Sequence, residues 1–120
     1  MRNENHHRAV MLVKASQSAK VLEWERLAAH SGFRVALLAE LCSMSTRQLE
    51  RHFAAELNTS PHRWMRKLQC RLAMELIGRG EQVKSVASDL NFRSTSHLCR
   101  EFKRLYGAPP KHYLHARSGE

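Results

Sequence analysis

The nine residues "STSHLCREF" (94–102) repeat "STRQLERHF" (45–53), with serine, threonine, leucine, arginine and phenylalanine at the same five positions and a constant offset of 49 residues. Leucine and phenylalanine four apart fall on one face of an α-helix, and the leading serine is a favoured N-cap. A chain that carries this element twice has to provide two seats for the same capped helix.

The flanking segments agree. "VALLAELC" (35–42) reads as a short apolar helix before the first copy and "VKSVASDL" (83–90) as its counterpart before the second. The connections "SM" and "NFR" are too short for anything but tight helix-turn-helix units, the second turn being one residue longer. Upstream, Val21, Leu22, Trp24, Leu27 and Ala28 recur at three- and four-residue spacings and Gly32 supplies a stop, which predicts a first helix at about 18–30. Asn58 stands where a helix end asks for a left-handed residue, and Ser60 and Pro61 open the next helix as N-cap and first helical residue. That helix runs to about Ile77 and is stopped by "GRG"; about 17 residues at roughly 1.5 Å each give a strut near 25 Å. Gly107 ends the second copy after Tyr106, and "APPKHYLHA" closes in a short helix or turn. No strand-like alternation occurs. The expectation is an all-α fold of about seven helices, with two helix-turn-helix subdomains joined by a long central linker helix. Its parts are an N-terminal arm at 1–17, a first unit at 18–58, a linker helix at 60–78, a second unit at 81–116 and a tail at 117–120.

At 120 residues, 42% of them hydrophobic, the chain can build one modest core. Twenty Lys and Arg against 11 Asp and Glu leave a net charge of +9, which points to a polyanionic partner if the charges are grouped. Cys42, Cys70 and Cys99 are odd in number and widely spaced, as expected of reduced cytosolic thiols rather than a disulfide framework. The N-terminal run "AVMLV" is too short for a secretory core or a membrane span, so a cytoplasmic protein is expected.

The charges are grouped. On the first repeated helix Arg47, Glu50, Arg51 and Ala54 lie opposite Leu49, Phe53 and Leu57. On the second, Ser96, Cys99, Arg100 and Lys103 face out while Leu98, Phe102, Leu105 and Tyr106 face in. A helix fits the major groove of B-DNA, where arginine makes bidentate contacts to guanine and glutamate accepts from the cytosine amino group. Arginine and glutamate three or four apart also pair along an ordinary solvated helix; duplication of the whole unit in a basic chain favours DNA over that reading. The linker has the scale needed to hold two helices in grooves roughly 34 Å apart. Its Trp64, Met65, Leu68, Leu72, Ala73, Leu76 and Ile77 read as core. Arg63, Arg66, Lys67 and Arg71 read as solvated charges, with phosphate contact as the weaker alternative.

Other chemistries find less support. His112 with His115, and His6 with His7, lack a cysteine or carboxylate at ligand spacing, so no metal site is expected. Cys99 beside Arg100 and Lys103 could act as a thiolate sensor, but a small residue that fits the groove is the simpler reading. No nucleophile–base pair, glycine-rich phosphate loop or paired carboxylates suggest an enzyme, and no small-molecule site is evident. The competing class is a basic helical adaptor that binds an acidic protein or nucleic acid without sequence preference.

The segments "LAELCSMSTRQLERHF", "TSPHRWMRKLQCRLAMELI", "VASDLNFRSTSHLCREFKRLYG" and "APPKHY" together resemble the DNA-binding domain of the AraC/XylS family of bacterial transcription regulators, over about residues 18–115. The resemblance implies that one protomer places both recognition helices in adjacent major grooves of double-stranded DNA. Carried over by position, the base-facing residues are Arg47, Glu50 and Arg51 in the first unit and Thr95, Ser96, Cys99 and Arg100 in the second. It also implies action at promoters, as activator or repressor, through contact with RNA polymerase, and no cofactor. Many members carry an effector or dimerisation domain upstream, for which this chain leaves no room. Asn58 and Asn91 stand where the family usually has glycine, Gln69 where it often has arginine, and Leu114 where arginine is common; these departures bear on phosphate contacts rather than on the fold. Because Ser96 and Cys99 occupy the positions of Arg47 and Glu50, the two half-sites are expected to differ, giving an asymmetric operator.

Overall fold

A computed structural model describes residues 19–112, with side chains from Glu23 onward. The arm at 1–17, the tail at 117–120, the His6–His7 pair and His115 lie outside the described residues. Six helices follow in order: α1 (Ala19–His30), α2 (Val35–Leu41), α3 (Thr46–Leu57), α4 (Pro61–Gly78), α5 (Val83–Asp89) and α6 (Thr95–Tyr106). A further helical turn begins at 110–112, so the expected all-α architecture holds among the described residues.

The repeat is exact in the helices that carry it, since Thr46–Leu57 shifted by 49 residues is Thr95–Tyr106. Each starts the same way. Ser45 Oγ accepts from the Gln48 N–H and Ser94 Oγ from the His97 N–H, both at 3.1 Å. Each ends in a left-handed residue, Asn58 at φ 56° and Gly107 at φ 84°. Ser60 caps α4 in turn, accepting from the Arg63 N–H at 3.2 Å with Pro61 in the first turn. The short helices α2 and α5 have no side-chain cap; Leu38, Ala39, Val86 and Ala87 hold them by burial instead.

One helix serves both units. α3 packs on α2 and on α4, and α2 packs on α1; α6 packs on α5 and on α4, and α5 on α4. Linker helix α4 therefore supports the second unit as α1 supports the first, while also holding α3. Its buried residues include Met65, Leu68, Leu72, Ala73, Leu76 and Ile77, as the periodicity predicts. Trp64 is only partly buried, with its ring 5.5 Å from Phe53.

Two of the linker cations are more than solvated charges, which corrects the sequence-based expectation: each also has a fixed partner within the protein. Arg71 forms a 2.9 Å ion pair with Glu25, whose side chain is only 6% exposed, and so fastens α4 to α1. Arg66 lies over the Phe92 ring, 5.4 Å from its centroid, and donates to Gln69 Oε1 at 3.0 Å. The physical reason is that α4 is flanked by a unit on either side, so long cationic side chains at its edges meet partners from α1 and from the α5–α6 turn. Arg63 and Lys67 are exposed, as expected.

Candidate nucleic-acid interface

α3 divides cleanly by face. Leu49 and Phe53 have no exposed surface, while Arg47, Glu50 and Arg51 are exposed together on the opposite side. The first turn of α3 is held by a reciprocal cap, with Gln48 Oε1 accepting from the Ser45 N–H at 2.8 Å. The end of the helix that presents Arg47 is thus fixed before any ligand arrives.

α6 repeats this division. Leu98 and Phe102 are fully buried, Thr95, Ser96, Arg100 and Lys103 are exposed, and Cys99 is half-buried at the edge of the outward face. Burial pushes the Cys70 thiol up to about 11 and raises that of Cys42. Neither is poised as a thiolate. His97, the counterpart of Gln48, receives the Arg93 N–H on Nδ1 at 3.3 Å. Burial, followed by the nearby cations Arg66, Arg93 and Arg100, lowers its pKa against the opposing pull of Glu101. That favours the neutral ring, which alone has a nitrogen free to accept.

Between the end of α3, the first half of α4 and the flank of α6 lies an open cleft of about 750 Å³. Arg63, Arg66, Lys67, Arg93 and Arg104 line it, with Glu101 as its carboxylate. Glu101 is already paired with Arg104, whose hydrogen bond is the largest influence holding the carboxyl below the usual range. The cleft therefore keeps a surplus of positive charge. Sequence reasoning did not single out Arg93 or Arg104 as candidate contacts; the signal available for Arg104 was that residues 97, 101 and 104 fall on one stripe of α6, beside the outward stripe of Ser96, Arg100 and Lys103 rather than on it. Among the described residues no group of three or more His, Cys, Asp or Glu could hold a metal ion, and no helix is long and apolar enough to cross a membrane.

Comparison with known proteins accords with this geometry. A family model described as a helix-turn-helix domain matches residues 38–116. The regulator NimR of Escherichia coli K12, an HTH-type transcriptional regulator, is 30% identical over 93 residues, covering 78% of this chain and 31% of its own length. The chain spans less than a third of the length of the curated relatives it matches. Among solved structures, the DNA-binding domain of the global transcriptional factor AdpA, crystallised with a target DNA, superimposes with a TM-score of 0.70 at 28% identity, over 92% of this chain and 94% of that one. A regulator from Chromobacterium violaceum of the AraC-type DNA-binding-domain class shares the fold, with a TM-score of 0.67 at 18% identity over 97% of both chains.

Proposed function

The chain belongs to the AraC-type family of helix-turn-helix transcription regulators, and we propose that it binds double-stranded DNA sequence-specifically, with α3 and α6 in successive major grooves of an asymmetric operator. The observation that carries this reading is the pair of equally long, serine-capped helices whose buried Leu and Phe repeat, while the outward Arg47 and Glu50 of one are replaced by Ser96 and Cys99 in the other. Repeated seats with different outward faces are what two half-sites of unlike sequence require. The family is one of regulators rather than enzymes, and the AdpA domain was crystallised on DNA.

In this reading Arg51 and Arg100 each contact guanine, Glu50 accepts from cytosine, and Arg47, Thr95, Ser96 and Cys99 complete the two surfaces. Arg63, Lys67, Arg93 and Arg104 in the cleft meet phosphates, which hold the register without reading sequence. Both recognition helices belong to one protomer, so a single copy suffices for binding. The protein acts in the cytoplasm, on promoters, and RNA polymerase is the partner through which a promoter-bound regulator works. The domain responsible spans residues 18–116.

Fluorescence anisotropy on a preferred duplex and on random DNA tests the assignment. Replacing Arg51 or Arg100 by alanine should cost about 1–3 kcal/mol on the preferred site and much less on random DNA. Replacing Lys67 should instead weaken both and lower the slope of log K against log salt by about 0.9. Equal losses from the Arg51 and Arg100 variants on both duplexes would favour a sequence-indifferent basic adaptor.

A further inference from the structure

A side-chain hydrogen bond crosses between the two units. Asn91, just after α5, donates through its side-chain nitrogen to the Gly32 carbonyl in the α1–α2 turn at 2.6 Å, joining residues 59 apart. Both residues are left-handed, Asn91 at φ 62° and Gly32 at φ 67°. Glycine adopts that backbone most readily but has no side-chain amide to offer; asparagine tolerates it and carries a donor.

The same turn is anchored from its other side. Gln69, buried in α4 at 3% exposure, donates to the Leu90 carbonyl at 2.8 Å and is itself oriented by Arg66. Successive residues 90 and 91 are thus tied to the linker helix and to the first unit. The Arg71–Glu25 ion pair closes the arrangement by fastening α4 to α1.

We propose that Asn91 is a positioning residue for DNA recognition: its bond to Gly32 locks the second unit against the first and so sets the half-site spacing that the protein accepts. This inference rests on the DNA-binding reading above. Changing the spacing by one base pair moves the second half-site by about 3.4 Å and turns it by roughly 35° about the duplex axis. To follow, α6 must shift and rotate relative to α3, and a 2.6 Å bond between the turns behind them cannot be kept. Without that bond the units remain joined by α4, a helix able to flex.

The test compares the wild-type chain with Asn91→Gly, which keeps the left-handed backbone and removes the amide, and Asn91→Asp, which keeps the shape but offers only acceptors when ionised. Binding is measured to the preferred duplex and to duplexes with one base pair added or removed between half-sites. Both variants should reduce discrimination against altered spacing by about 3- to 10-fold, the factor expected of one intramolecular hydrogen bond. Residual dipolar couplings of the free proteins should fit one alignment frame for both units in wild type and separate frames in the variants. Unchanged spacing discrimination overturns the recognition role, and a common frame in all three proteins overturns the latch. A wild-type chain with no sequence preference overturns the DNA reading instead, and the couplings still decide on the latch.

Discussion

In the first unit the buried Phe53 ring is gripped by two tryptophans, Trp24 at 4.8 Å and Trp64 at 5.5 Å, both edge-on. In the second, the corresponding Phe102 meets Tyr106 on its own helix at 4.7 Å. Both phenylalanines are fully buried all the same. The seat for a recognition helix is therefore a shape that different side chains can supply, which frees the outward positions to diverge without moving the helix. Arg47 and Glu50 against Ser96 and Cys99 are that divergence.

The largest expected effect tests whether two differently built seats still unfold as one. Phe53→Ala and Phe102→Ala should each cost about 3–5 kcal/mol. Because α4 belongs to both units, tryptophan fluorescence and far-UV circular dichroism should report one coincident urea transition in either variant. If Phe102→Ala left the Trp24 and Trp64 signal in place while dichroism fell early, the units would be independent and α4 a mere tether.

A smaller effect concerns the outward faces. Exchanging Ser96→Arg together with Cys99→Glu gives α6 the face of α3 on an unchanged frame. Selection from random duplexes should then move the second half-site toward the sequence of the first, with about 1–3 kcal/mol of discrimination for each restored base contact. Retention of the wild-type second half-site would show that these positions do not read bases.

The serine caps should sharpen the comparison by being equal. Ser45→Ala and Ser94→Ala remove bonds of the same length, and each should cost about 1 kcal/mol in thermal or urea unfolding. A clear inequality would mean that the rest of the caps, where the units do differ, contributes more than the shared serine bond.

The smallest effect lies in that difference. Gln48 accepts from the Ser45 N–H whatever the pH, whereas His97 accepts from the Arg93 N–H only while neutral. The folded pKa of His97 lies below its ordinary value, so its stabilising contribution is complete above about pH 6.5 and is lost as pH falls through the folded pKa. Thermal unfolding followed from pH 7.5 to 5 should show this decline, and His97→Gln should flatten it. An identical decline in that variant would assign the pH dependence to other groups.

Much of this was legible in the sequence because it is written locally. The caps at Ser45, Ser60 and Ser94, the left-handed Asn58 and Gly107, and the inward Leu and Phe pairs each depend on residues within about one turn. What escaped was long-range. Nothing near Arg71 signals that a glutamate on α1 awaits it, and nothing near Asn91 points to the Gly32 carbonyl. Gln69 read as a departure from a common arginine, yet it is buried and holds the α5–α6 turn. The cleft is invisible for the same reason: its lining comes from three helices and the turns beside them, whose apposition follows only once α4 has placed them.

The central claim is that one chain reads two unlike half-sites, and selection from a random duplex library at two salt concentrations tests it most directly. The account predicts an enriched, non-palindromic site with two different half-sites about 10 base pairs apart centre to centre, whose sequence persists when salt is raised although affinity falls. Enrichment of a single half-site repeated or inverted, or no enrichment beyond general attraction to DNA, would contradict it.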